Sequence, residues 1–447
     1  MQKFLFFLLG FFSIQSVNAE SLQNTVQQAL SSHPEVNASV NSRYSAEQDL
    51  RAARGGYLPT LNIDAEAGQK NVNDATTRAG GSNSGMNLSP NDATVSLNQN
   101  IFDGFATSSE VNRQKATVNS RSFSVLNISE TTALNVVQAY LDVLQRQEYV
   151  HLAQDDLANH ERIYDQIRLR TDQGVGRSGD LMQAEARLAQ ARNNLLTEQT
   201  NLEDANTTFM SVTGEAPENL SLPESIDAFL PTSLEDAKRT MESNSPLLKS
   251  ANADIEAARQ QYEASKSTFY PRVDVALSRS VANDTDTTRA HSEEWQAMVK
   301  MHYNLYQGGS DKAAMESRAY LQKQAQDIRN NTLRQMNQEM GLAWSALKSA
   351  KDQLPAAADY ADRSVKVRTA YQDQFSLGER TLLDLLDSEN EVFSSKRRLV
   401  ELRYLEIASG YRICARSGEL LKALKINPVS AGQPLDSADN NELPELK

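Results

Sequence analysis

Residues 104–171 read GFATSSEVNRQKATVNSRSFSVLNISETTALNVVQAYLDVLQRQEYVHLAQDDLANHERIYDQIRLRT, with no proline and no glycine after Gly104. Val111, Val118 and Val125 step by seven, and an eleven-residue jump leads to Val136. The seven-step then resumes through Val143, Val150, Leu157 and Tyr164. A seven-residue apolar repeat is the seam of a helix packed in a coiled coil, and an eleven-step is a local change of supercoil. As one helix of 68 residues at 1.5 Å per residue, the stretch would be roughly 100 Å long. Globular domains do not contain such helices. The sequence predicts a rod.

The N-terminus has a basic residue, Lys3, an apolar run from Phe4 to Phe12 and a small-residue exit at Ala19. That pattern predicts a secretory signal over residues 1–19. The apolar run is too short for a membrane-spanning helix, and no later stretch is continuously apolar. Cys414 is the one cysteine, which excludes a disulfide and a lipid-bearing cysteine at the cleavage site. The formal charge is −13, or −14 once Lys3 is removed, which argues against a nucleic-acid partner.

Around the long helix the chain repeats itself. Leu22, Pro34 and Pro59 recur as Leu234, Pro246 and Pro271, each displaced by 212. Phe102, Gly104, Tyr140, Gly174, Asp180, Glu185 and Gly214 recur as Tyr306, Gly308, Trp344, Gly378, Asp384, Glu389 and Gly418, displaced by 204. So constant a register marks a tandem duplication. The first repeat, 20–214, holds a helix that His33-Pro34 could kink, a β-hairpin over 57–103, the long helix over 104–172 and a heptad helix over 180–213. A linker over 215–232 follows. The second repeat, 233–418, holds a helix, a hairpin over 269–307, a long helix over 308–376 with a bend expected at Pro355, and a helix over 381–417. Its last helix carries Leu386, Phe393, Val400, Ile407 and Cys414 at sevens. Residues 419–447 close the chain, ending in a polar tail.

The hairpins supply four strands of alternating character, such as Leu61, Ile63 and Ala65 against Asn62, Asp64 and Glu66. The first hairpin holds a polar loop from about Lys70 to Asn91. Four strands cannot close a barrel, and open edges in lipid leave backbone groups unpaired. Either they form a water-facing sheet, or several chains share one barrel. Trp295, Tyr57 and Tyr306 fit an interfacial aromatic belt or ordinary packing alike.

With the duplication, hairpins, long helices and linker in this order, the chain resembles the TolC family of outer-membrane channel-tunnels over nearly all its length. The stretches Asn100 to Ser108 and Gly378 to Asp387 resemble the branch serving type I protein secretion. The resemblance implies a mixed architecture, a membrane β-barrel joined to a long α-helical coiled-coil barrel. A homotrimer would share twelve strands, and 215–232 with the C-terminal segment would form an equatorial belt. It implies an outer-membrane location with a tunnel into the periplasm, in contact with outer-membrane lipid. Its partners would be a periplasmic adaptor and an inner-membrane ABC exporter, and its cargo unfolded polypeptides such as RTX-like toxins, adhesins or proteases. A small-molecule efflux duct, coupled to an efflux transporter, is the alternative. An exported coiled-coil scaffold without a pore is a third reading, which leaves the duplicated hairpins unexplained.

Gly174, Gly176 and Gly378 lie in the turns that reverse the long helices, which the resemblance makes the periplasmic entrance. Asp384 and Asp387, three apart, share a helix face. They are either helix-start acids behind the cap Thr381 or, by the resemblance, acidic rings at the entrance. Arg380 falls where the family places a gate-holding arginine and Asp180 where it places the partner. Phe375 stands where a tyrosine hydroxyl often joins that latch. The five histidines show no ligand spacing, and no nucleophile–base pair, phosphate loop or metal cluster occurs. No cofactor and no enzymatic activity are expected.

Overall fold

The computed structural model describes residues 21–79, 85–285 and 290–435. The expected signal over 1–19 and the end of the polar tail lie outside the described residues. In chain order the elements are α1 (Leu22–Ser32), α2 (Pro34–Gly55), β1 (Thr60–Ala67), β2 (Lys70–Val72), α3 (Ala75–Ala79), β3 (Met86–Leu88), β4 (Asn91–Phe102), α4 (Ala106–Asp172), α5 (Ser178–Thr213), α6 (Leu234–Asn244), α7 (Pro246–Ser265), β5 (Arg272–Asn283), β6 (His291–His302), α8 (Ser310–Leu377), α9 (Leu382–Ser417) and α10 (Leu420–Ala423). Proline cannot donate to the helix before it; the first helix accordingly breaks at His33 into α1 and α2. Pro355 does not interrupt α8. Within the polar loop of the first hairpin, β2 and β3 pair into a small ribbon.

The elements form two compact units, and each draws on both copies of the duplication. One gathers the described residues of Asn37–Asn127, Ser245–Met336 and Val429–Lys447. Its four-stranded antiparallel sheet has the order β1-β4-β5-β6. The central pairing, Leu97 against Leu277, joins a strand of the first repeat to one of the second. Leu61, Ile63, Trp295 and Val299 are 68–77 % exposed, and among the described residues no strand pairs with the outer edges of β1 and β6. Tyr57 and Tyr306 are likewise exposed, so ordinary packing within the chain does not account for these aromatics. Behind the strands, Phe102, Phe105 and Tyr270 meet edge to face, with centroids 5.4–6.4 Å apart. Gly104 is required there: its φ is +68°, and a Cβ would lie 2.7 Å from the Ser267 carbonyl oxygen. Ala46 and Leu50 of α2 pack on the heptad residues Val111 and Val118 of α4.

The other unit gathers the described residues of Met1–Val36, Ile128–Asn244 and Asn337–Pro428. Here α1 packs on α5 and its repeat counterpart α6 packs on α9. Ala29 and its equivalent Met241 are both fully buried. Burial of a side chain such as Met241 or Phe209 is worth about 1.5–3 kcal/mol. Two polar anchors fasten to α4 the segment between the repeats and the short helix α10. The Tyr140 hydroxyl donates to the Ser221 carbonyl at 2.7 Å and accepts from the Ser221 N–H at 2.9 Å. The Glu130 carboxylate accepts the Leu420 and Leu421 N–H groups at 3.0 and 3.4 Å.

In the lower half of α4 the buried seam differs from the expected one. Val150, Leu157 and Tyr164 are half-buried, whereas Tyr149, Ala153, Asp156, His160, Ile163 and Ile167 are buried. These still alternate by four and three, as a heptad seam does, but Asp156 and His160 among them bear side chains that carry charge near neutral pH. Apolar residues flank this seam as well as lining it, so the apolar period alone selected the neighbouring stripe. On α9, Leu386, Val400 and Cys414 are buried, while Phe393 and Ile407 are half-buried. Among the described residues no helix is long and apolar enough to cross a membrane.

Candidate functional site

The two reversing turns of the helical unit use the same device. After α4, Gly174 takes φ +77°, and the Val175 and Gly176 N–H groups bond the Arg170 carbonyl at 3.0 and 2.9 Å. After α8, Gly378 takes φ +82° and the Glu379 N–H bonds the Gln374 carbonyl at 2.9 Å. A left-handed residue followed by such a back-bond satisfies the last helical carbonyls, and glycine adopts it without a Cβ clash. Gly176 is excluded from substitution differently, since a Cβ would lie 2.7 Å from the Thr171 backbone nitrogen. Beside the turns, Ile163, Ile167, Ala184, Phe375, Leu382, Leu385 and Leu386 form an apolar cluster.

Phe375 belongs to that cluster and is buried, with the Arg170 guanidinium 5.1 Å from its ring centroid. Within the chain its ring packs, and a phenyl ring has no hydroxyl to offer a latch. Arg380 does not reach Asp180 within the chain. Its Nε donates to Gln374 Oε1 at 2.9 Å, its guanidinium sits 4.2 Å from the Tyr371 centroid, and Nη1 is 3.9 Å from Asp384 Oδ2. All three partners belong to its own hairpin, close in sequence, where little chain entropy opposes contact.

The two acids of α9 differ. Asp384 completes a capping box: Thr381 Oγ1 accepts the Asp384 N–H at 3.3 Å, and Asp384 Oδ2 accepts the Thr381 hydroxyl at 2.8 Å and its N–H at 3.3 Å. It therefore starts the helix, whatever else it does. Asp387 Oδ1 instead takes a charge-assisted bond from Arg187 Nη2 of α5 at 3.1 Å. Sequence reasoning passed over Arg187, since an arginine on an exposed helix stripe carries no signal of its partner.

The ionisable seam lies on the same helices. His160 Nε2 is 3.5 Å from Asp156 Oδ1, and His160 Nδ1 is buried without a partner. Glu389 of α9 takes a bond from Asn159 at 3.2 Å and lies 3.6 Å from Arg368 of α8. Burial, with the nearby Glu389 charge, pushes the Asp156 carboxyl up to about 6. Burial also raises Glu389, against the pull of Arg368 and the Asn159 bond. His160 is lowered by burial and by the Arg187 charge. Further along, buried Glu198 pairs with Arg397 at 2.9 Å. Among the described residues no group of three or more histidine, cysteine or acidic side chains is arranged to hold a metal ion.

The arrangement is one of helical hairpins bridged by charge. Similarity to known proteins agrees with that character. BepC of Brucella suis, an outer membrane efflux protein, is 23 % identical over 91 % of this chain and 87 % of its own length. Outer membrane protein TolC of Escherichia coli is 24 % identical over 92 % of this chain and 85 % of its own. The alkaline protease secretion protein AprF of Pseudomonas aeruginosa is 21 % identical over 98 % and 94 %. Among solved structures, the CmeC outer membrane channel of Campylobacter jejuni superposes with a TM-score of 0.80 at 15 % identity, covering 90 % of this chain and 86 % of that one; the shared fold is what that likeness shows. The profile of the outer membrane efflux proteins matches residues 25–215 and 239–409, both copies of the duplication. The chain belongs to the outer membrane efflux protein family and is a protein of the outer membrane.

Proposed function

We propose that the chain is one protomer of a homotrimeric exit duct whose copies share a twelve-strand barrel and continue it as a helical tunnel in the periplasm. The observation that carries this reading is the four-stranded sheet with two unpaired edges and uncovered apolar side chains on β1 and β6. In lipid such edges cost several kcal/mol per unpaired group, and pairing β6 of one copy with β1 of the next removes them. The duct works passively, without enzymatic chemistry, in type I secretion of unfolded polypeptides, docked to a periplasmic adaptor and an inner-membrane ABC exporter. The stretches Asn100 to Ser108 and Gly378 to Asp387, and the likeness to a protease secretion protein, support that branch. Likeness to BepC supports the second reading, a duct for small-molecule efflux.

At the entrance, Asp384 and Asp387 of each copy form acidic rings, and Arg380 meets Asp180 of a neighbouring copy as a latch. Asp180 has room for that role, as it makes no ion pair with Arg380 in its own chain. The test is outer-membrane fractionation followed by crosslinking and native mass measurement, then pull-down of the inner-membrane partner. A trimer recovered with an ABC exporter is expected. A monomer, or a chain absent from the outer membrane, would sink the duct. A trimer bound only to a drug transporter would replace secretion by efflux.

A further inference from the structure

We infer that Arg187 is a selectivity-determining residue of the duct, screening Asp387 so that Asp384 supplies most of the effective charge of the acidic entrance. The inference rests on the reading of Asp384 and Asp387 as lining that entrance. The geometry separates the two acids. Asp384 is engaged by its own turn, through neutral donors of Thr381, and its nearest cation is 3.9 Å away. Asp387, three residues further on, is 3.1 Å from a guanidinium borne by another helical hairpin.

Arg187 is not simply passing. Its Nη1 donates to Gln190 Oε1 at 3.3 Å while Nη2 takes Asp387, so the fork is held from both ends. The Arg187 side chain is 31 % exposed and Asp387 is 59 % exposed, so the carboxylate still faces water with its charge compensated. An ion pair this exposed contributes little to stability. It does alter the local field, because a cation in the water near Asp387 meets a dipole rather than a bare charge. Tight block by a multivalent cation needs several uncompensated acids at once. Half of the carboxylates in a two-acid ring are thus discounted, and the discount comes from α5, outside the helix that carries the ring.

The test uses the purified full-length protein in planar bilayers, with reversal potential in a salt gradient and block by hexaamminecobalt(III) as readouts. Arg187→Gln should raise cation preference and lower the blocking concentration roughly five- to ten-fold, an effect that fades with added salt as Debye screening predicts. Arg187→Lys should restore the wild-type values. In the wild-type background Asp387→Asn should change block less than Asp384→Asn does. In the Arg187→Gln background Asp387→Asn should reverse the gain. Unchanged block in Arg187→Gln, with block abolished in Asp384→Asn/Asp387→Asn, overturns the role of Arg187 and leaves the ring standing. Unchanged block in that double variant removes the ring itself, and this inference with it. A gain in Arg187→Gln that Asp387→Asn does not reverse is a packing effect and likewise overturns the proposal.

Discussion

The Tyr140 hydroxyl and the backbone of Ser221 satisfy each other twice, the phenol giving its proton to the carbonyl and receiving the N–H. Tyr140 is fully buried in α4, while Ser221 belongs to the irregular segment between the repeats. One side chain thus supplies a pair of backbone hydrogen bonds to a segment whose regular structure is limited to a short 3-10 turn at Asp227–Phe229. Tyr140→Phe should cost about 1 kcal/mol and speed proteolysis across residues 215–232. An unchanged cleavage rate would mean the segment is held by apolar contacts alone.

Glu130 anchors α10 in the same manner. Glu130→Ala leaves the Leu420 and Leu421 N–H groups without their acceptor, a loss of about 1–3 kcal/mol, and should expose residues 420–425 to protease. Burial pushes this carboxyl up to about 8, against the two backbone bonds. The folded chain therefore keeps a proton that the unfolded chain releases above its ordinary value near 4.5. Stability contributed here is lost as pH rises from about 4.5 to 8. Glu130→Gln, which keeps an acceptor and does not titrate, should match wild type near pH 4 and be the more stable of the two near pH 7. Equal protease sensitivity of the Ala and Gln variants at that pH would rule out the anchor.

Asp156 carries a second pH dependence of the same sign. Its carboxyl, at about 6 against an ordinary 3.8, binds a proton in the folded chain that the unfolded chain has released. The penalty of burying its charge is absent below about pH 4, grows through 6 and is complete at pH 8. The facing groups are His160, Glu389 of α9, Arg187 of α5 and Arg368 of α8. Asp156→Asn should therefore stabilise the protein by about 2–3 kcal/mol at pH 8 and by almost nothing at pH 4, read from thermal unfolding. His160, whose proton affinity is lowered, acts oppositely as pH falls below its ordinary range near 6.5. Equal stabilisation by the variant at both pH values would show that folding does not raise the proton affinity of Asp156.

The latch predicts a contrast between two residues. Arg380→Ala removes the bond to Gln374 and the stacking on Tyr371, together with the pair proposed between copies. Asp180→Ala removes the pair between copies and no Arg380 contact within the chain. Both variants should raise single-channel conductance, and Asp180→Ala should do so with little loss of thermal stability. Unchanged conductance in both, with the trimer intact, would eliminate the latch.

Several features were legible from residues alone because their causes are local. The seven-step of Val111 and Val118 identified a helix and its buried stripe. The turns followed from glycines at Gly174 and Gly378, where a positive φ excludes most other residues. The lower seam of α4 was not legible, since Asp156 and His160 look like surface residues until both neighbouring helices are in place. The apolar cluster around Phe375 was not legible for a related reason, since it is assembled from α4, α5, α8 and α9.

The amino-acid sequence by itself determined the long helices, the duplicated order of elements, the alternation of the strands and the glycine turns. Each depends on residues within a few positions of one another, where periodicity and backbone sterics act directly. Only the tertiary structure decided that β4 pairs with β5 across the two repeats, that Asp387 meets Arg187, and that Glu130 holds Leu420. Those partners lie 200 residues apart for the ion pair and 290 apart for the anchor. A charge or a carboxylate carries no local mark of the group that will satisfy it; the packing of the helices makes that choice.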